Sequence, residues 1–172
     1  MLAFSVRRLA LSIPNSTSFA HMNAGTILHS TPLLDDTIFE DTSILITEHN
    51  EKGAMGFVIN KLFDRKLNEL EEFKHIRPFP LHDGGPVDRE HLFFIHQRPD
   101  LIKDGTLTHN NIYLGGDFKT AVKLINDRTI TEKDVKIFIG YCGWDANELE
   151  EEIAEGSWGI SETETSFDLT FS

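Results

Sequence analysis

A single cysteine, Cys142, stands in the 172-residue chain. That excludes an intrachain disulfide and any zinc or iron–sulfur site built from several thiolates. Tyrosine and tryptophan are scarce, two of each against thirteen phenylalanines, so the aromatic content suits packing rather than a wet recognition face. No apolar run approaches the roughly 20 residues that span a bilayer. Basic residues are few: 16 Lys and Arg face 28 Asp and Glu, for a net charge of −12. They are also unevenly placed. The 36 residues after Lys136 contain neither Lys nor Arg, while nine acids from Asp145 to Asp168 follow. Such a run reads as a solvated face that repels nucleic acid. The expectation is a soluble, reduced, cytoplasmic protein with no membrane partner.

The first 21 residues differ from the rest. Met1–Leu11 is short, basic and apolar, and a Ser/Asn/Thr-rich stretch follows. A transit peptide would look similar, but the apolar stretch is short and lacks a clear cleavage site. Residues 1–21 are therefore expected to be a disordered or extraneous extension, dispensable for folding. The domain is expected over 22–172, a length that suits one core.

What is present is β-rich and punctuated by glycine. Thr26–Ser30 reads as a first strand, stopped by Pro32. Ser43–Thr47 and Met55–Ile59 are β-rich runs joined by Asn50-Glu51-Lys52-Gly53, a hairpin pattern. Leu67, Leu70 and Phe73 fall at helical spacing and predict a short amphipathic helix. Leu92–His96, Ile112–Leu114 and Val135–Ile139 read as further strands. Asp117 predicts an N-cap for a helix over Phe118–Asn126, with Phe118, Ala121, Val122 and Ile125 on one face. Asp145 and Glu148 fit a capping box for a helix carrying Leu149 and Ile153, with Gly156 just past its end. Trp158–Ile160 and Phe167–Phe171 are candidate closing strands. The mixture, with hairpin-length connections, predicts an α+β fold rather than a doubly wound parallel sheet.

Four glycine-centred segments carry the strongest signal: Glu48–Lys61, Asp83–Val87, Leu114–Phe118 and Gly140–Trp144. In this order and spacing they resemble the AlgH/YqgE family of small bacterial proteins. The matching positions include Glu48, His49, Asn50, Gly53, Gly56, Asn60 and Lys61, and the resemblance covers residues 25 to about 160. Departures are Cys142 in the last motif, where the family often carries serine or alanine, Asn147 in place of a usual glycine, and Glu148 in place of glutamine. The resemblance implies a compact single domain, a mixed and largely antiparallel sheet flanked by helices. It implies no settled activity, although some members are labelled transcriptional regulators.

Each motif has a bland and a functional reading. Asn50 can simply make the turn and His49 bond nearby backbone; alternatively the imidazole exchanges protons near neutral pH. Lys61 could receive an anionic ligand or pair with a surface acid. The Gly84-Gly85 and Gly115-Gly116 pairs could cradle phosphate, but neither forms a dinucleotide or Walker loop, and Asp117 would repel the anion. They are expected to be turns that the fold demands. Cys142 lies near a predicted helix start that would favour a thiolate, yet a buried, incidental thiol is the expectation. None of the eight histidines forms a His-x-x-x-His pair with a carboxylate partner at helical spacing, and neither metal nor cofactor is expected.

The functional expectation is a non-enzymatic regulatory or binding protein with a protein or small-molecule partner. Its candidate surface gathers Glu48, His49, Asn50, Asn60, Lys61, Gly84, Gly85, Gly116, Asp117 and Trp144 around converging strand ends. The alternative is a hydrolytic or thiol-dependent enzyme using His49 with Cys142 or Asp117. Direct DNA recognition is not expected, because phosphate neutralisation needs a basic stripe. Fluorescence anisotropy at low salt should show no submicromolar duplex binding; tight, salt-dependent binding would contradict the charge reading.

Overall fold

Val135–Asp145 forms a long strand to which three others attach, and the rest of the fold is arranged around it. The computed structural model describes residues 23–161. The expected extension at 1–21 and the expected strand at Phe167–Phe171 lie outside them. Within the described residues the strands are β1 (Ile27–Ser30), β2 (Ser43–Asn50), β3 (Gly53–Val58), β4 (Leu62–Lys66), β5 (Pro80–Asp83), β6 (Val87–His96), β7 (Thr106–His109), β8 (Ile112–Leu114), β9 (Val135–Asp145) and β10 (Trp158–Ile160). The helices are α1 (Phe118–Asn126) and α2 (Glu148–Ala154). No helix among them is long and apolar enough to cross a membrane.

The main sheet runs β10-β1-β2-β3-β9-β6-β8-β7, with β4 and β5 branching from β9. Every pairing is antiparallel except β5 with β9. This is the α+β class with a mixed, largely antiparallel sheet that the resemblance implied. Strand alternation distributes side chains between faces. Ile44 and Ile46 join one core cluster while Leu45 joins another; Ile137 and Ile139 likewise separate from Phe138. One cluster, with Phe57 stacked on Phe138 at 4.5 Å, belongs to the inner face. The second is covered by α2 and the 34–39 segment, the third by α1 and the 67–79 segment. The sheet also curls toward its far edge: a Cβ at Gly25, just before β1, would stand 2.4 Å from the ring of His109 in β7.

The defining feature is a crossing. Phe138 and Ile139 pair with β5 and also with β6, so these strands flank β9 on opposite edges. The chain from Asp83 to Val87 must therefore pass over β9, which continues to Asp145. It does so backbone against backbone. A Cβ on Gly84 would stand 2.4 Å from the Gly140 carbonyl oxygen, and one on Gly85 2.3 Å from that of Tyr141. A Cβ on Gly140, where φ is +71°, would stand 2.3 Å from the Gly85 carbonyl oxygen. Such separations exclude any side chain unless backbone moves. Both polar groups of Gly84 are paired: its N–H donates to the Ile139 carbonyl at 2.8 Å, and its carbonyl accepts from the Val58 N–H at 2.9 Å.

α1 occupies the range expected from the sequence, and Asp117 caps it by accepting from the Thr120 N–H at 3.2 Å. At α2, the Asp145 N–H donates to Glu148 Oε1 at 2.8 Å, and Asn147, at φ +68°, precedes the helix. The expected helix through Leu67, Leu70 and Phe73 is instead two 3-10 turns, Leu67–Glu69 and Glu71–Phe73. Leu70 between them is extended, and the Leu67 N–H is held by the Phe79 carbonyl at 2.8 Å. Tertiary pairing has overridden the local period, although all three side chains still pack on the same core cluster.

Gly115 and Gly140 share φ +71°, but a Cβ on Gly115 would meet nothing within 4 Å. Alanine at Gly115 should therefore cost only the left-handed backbone term, about 1–2 kcal/mol. Gly140→Ala should cost about 1–3 kcal/mol more from steric overpacking. Urea unfolding of both variants measures the difference; equal losses would mean that the crossing yields freely.

Candidate functional site

The crossing leaves a cleft of about 310 Å³. Gly85, Pro86 and Val58 line it together with Phe39 and Ile38, and its polar groups are Lys61, Asp83 and Arg89. The sequence after β3 sets this arrangement. Asn60 clamps the segment before β2: its Oδ1 accepts from the Ser43 N–H at 3.0 Å and its Nδ2 donates to the Asp41 carbonyl at 2.8 Å. Lys61 Nζ donates to the Glu40 carbonyl at 2.9 Å, while the Lys61 carbonyl accepts from the Asp83 N–H at 2.9 Å. Together these contacts fix Ile38 and Phe39 beside the crossing.

Arg89 grips the other side. Its Nη1 donates to Asp83 Oδ1 at 2.6 Å and to the Gly85 carbonyl at 2.8 Å, and Nη2 donates to Asp83 Oδ2 at 3.3 Å. Hydrogen bonding to Asp83 outweighs burial and raises the Arg89 pKa. The pair is roughly two-fifths exposed, so it orients the guanidinium more than it stabilises the fold. Neither residue was in the sequence-derived site. Asp83 sits inside a glycine motif and could have been included. Arg89 lies in an ordinary polar run, Asp88-Arg89-Glu90, with no local signal.

Glu48, His49, Asn50 and Trp144 assemble elsewhere, at the β2–β3 hairpin end. Asn50 makes the turn, accepting from the Lys52 N–H at 2.8 Å and donating to Glu48 Oε1 at 3.1 Å. His49 Nε2 contacts Glu150 Oε1 at 2.6 Å, tying the hairpin to α2. Trp144 Nε1 and Trp158 Nε1 both donate to Oε1 of the fully buried Glu152, at 3.2 and 3.0 Å. A shallower cleft of about 250 Å³ lies here, with Glu48, Asn50, Tyr141 and Trp144 in its wall. Gly116 and Asp117 occupy a third place, against the 103–105 segment. The Asp117 N–H donates to the Lys103 carbonyl at 2.9 Å. Its carboxylate caps α1, and hydrogen bonds from Thr120 lower its pKa. The structure thus brings Asn60, Lys61, Gly84 and Gly85 together, and separately Glu48, His49, Asn50 and Trp144. β9 links these two groups.

Burial also lowers the pKa of two histidines and raises that of Cys142. Burial, with help from Lys136, pushes the His82 pKa down to about 4, so the ring is neutral near pH 7. His96 is also lowered by burial. Its Nδ1 accepts from the Arg98 N–H at 3.1 Å, which leaves Nε2 to carry the proton and donate to the Gly115 carbonyl at 3.1 Å. Cys142 is fully buried, its Sγ donates to the Gly84 carbonyl at 3.5 Å, and burial followed by the Asp83 charge raises its pKa far above the usual thiol range.

Comparison with known proteins places this geometry in context. A family model described as AlgH-like (DUF179) matches residues 27–171. A UPF0301 protein of Bacteroides fragilis is 39% identical over 145 residues, spanning 83% of this chain and 73% of its own. A UPF0301 protein of Chlorobium phaeobacteroides is 36% identical over 155 residues, 90% of this chain and 81% of its own. The solution structure of the AlgH protein from Pseudomonas aeruginosa superimposes with a TM-score of 0.68 at 26% identity, covering 87% of this chain and 80% of that one.

Cys142 should resist thiol reagents in the native protein. At pH 8, labelling is expected to be at least about a hundredfold slower than in urea, because reaction requires opening of the core. Rapid native labelling would show an accessible thiolate.

Proposed function

The chain belongs to the AlgH-like family, and from that premise we propose that it is a non-enzymatic binding protein of the cytoplasm whose ligand or partner docks at the crossing cleft. The observation that carries this reading is the cleft itself. Rigid backbone forms one wall, apolar side chains form others, and three charged groups converge on it. Ligand sites commonly combine a largely apolar lining with a few fixed polar groups.

The placement of the candidate catalytic groups favours binding over turnover. His49 is engaged by Glu150, Cys142 is buried against Gly84, and Asp117 caps a helix. None of these three contacts joins His49 to Cys142 or Asp117. A regulatory role would then run through the bound partner, since the acidic chain suits a protein or small-molecule contact better than DNA.

Ile38 tests the reading because it is 61% exposed at the cleft. A carboxylate there should leave the fold intact and disrupt docking. Affinity capture from the native cell should recover a specific partner or metabolite with the wild type and lose it with Ile38→Asp, with no turnover of the captured species. Equal recovery by both proteins would place the binding surface elsewhere.

A further inference from the structure

We propose that the crossing cleft takes a small molecule with one carboxylate and a short apolar body, its carboxylate against Lys61 and its body between Ile38, Phe39 and Pro86. This rests on the reading of the cleft as the binding site and specifies the chemistry that the site selects.

Charge supplies the first reason. Lys61 and Arg89 contribute two positive charges to the lining and Asp83 one negative charge, a local excess of one positive charge in a chain of net −12. Arg89 is already matched, because both guanidinium nitrogens face the Asp83 carboxylate and one also holds the Gly85 carbonyl. Lys61 is different. Its hydrogen-bond partner is the neutral Glu40 carbonyl, and among the described residues it forms no ion pair. An ammonium has three donors, so two remain for an incoming anion. A cation would meet this positive excess and the unpaired Lys61 ammonium. A dianion would carry one charge beyond the local excess and would face Asp83.

The glycine backbone supplies the second reason. A Gly-Gly turn can bind phosphate when its N–H groups point outward. Here the Gly84 N–H is held by the Ile139 carbonyl, so this turn cannot offer it. Lys61 then reads the anion as a compact point charge, and the single excess positive charge of the lining favours a monoanion such as a carboxylate. Size supplies the third. A volume of about 310 Å³ is at the small end of ligand sites, which run from roughly 300 to 1,000 Å³. Ile38, exposed at 61%, is the apolar surface that a short hydrocarbon body would cover.

Hexanoate, hexanol and hexylamine share one apolar body and differ in head-group charge. Each is titrated into the full chain while backbone amide signals are followed by NMR. Hexanoate should shift Ile38, Lys61 and Gly85 and bind at least tenfold tighter than hexanol, and hexylamine should leave these signals unmoved. Lys61→Met should remove the preference for hexanoate over hexanol, and Lys61→Arg should keep it. Ile38→Asp retains both Lys61 and Glu40 and places a carboxylate in the cleft that competes for the Lys61 ammonium, so it provides a second variant if Lys61→Met fails to fold; it should weaken hexanoate at least tenfold. Equal binding of all three probes, or hexanoate shifts confined to other surfaces, would overturn the proposal. If that occurs while partner capture still depends on Ile38, the cleft is a docking surface without carboxylate selectivity. If capture is also independent of Ile38, the site reading fails with it.

Discussion

The Gly84–Gly85 backbone lies directly on the Gly140–Cys142 backbone, and most of the molecule depends on that contact. β9 can pair with β3, β5 and β6 only if the chain leaving β5 crosses it to start β6. Two backbones can approach this closely only without side chains between them. Their polar groups must also find partners in a dry environment. At Gly84 both conditions are met, since Ile139, Gly84 and Val58 are linked in a short hydrogen-bond chain at the crossing. The stacked Phe57 and Phe138 rings beside it fill the space that the glycines leave. The cleft is a consequence: the strands and loop brought together by the crossing place Lys61, Asp83 and Arg89 around a glycine-proline wall.

A second device fixes the other end of β9. Glu152 has no exposed surface, yet it accepts from two indole N–H groups. Burying a carboxylate is costly unless donors surround it. The two tryptophans therefore tie α2, β9 and β10 into one unit, and His49 adds a contact from α2 to the hairpin. At the crossing, by contrast, three charged side chains converge on a cleft with apolar walls, which supports it as the candidate for recognition.

Much of this was legible in the sequence, where local rules apply. Asp117 and the Phe118, Ala121, Val122, Ile125 face gave α1 with its cap, and Asn50 to Gly53 gave the β2–β3 hairpin. The glycine pairs lie in the connections between elements, but the sequence did not show which backbones they would touch. That information is long-range: Gly84 and Gly140 are brought together only by pairings with β9. Arg89 and Asp83 are only six residues apart, but their contact depends on the same crossing; β4, with its Leu-Phe-Asp-Arg-Lys sequence, offered no clean alternation. The β7–β8 hairpin did leave a signal, an Asn110-Asn111 pair with both φ values positive, which is favoured turn chemistry for such a connection.

Native-state hydrogen exchange tests the central claim most directly. If the crossing organises the fold, the Gly84 and Val58 amides can exchange only when β9 separates from its neighbours. They should then fall in the slowest class and follow global unfolding as denaturant is added. Exchange of Gly84 and Val58 at rates typical of exposed loops, well before β9 opens, would show that the crossing is a loose overlay and not the constraint on which the structure rests.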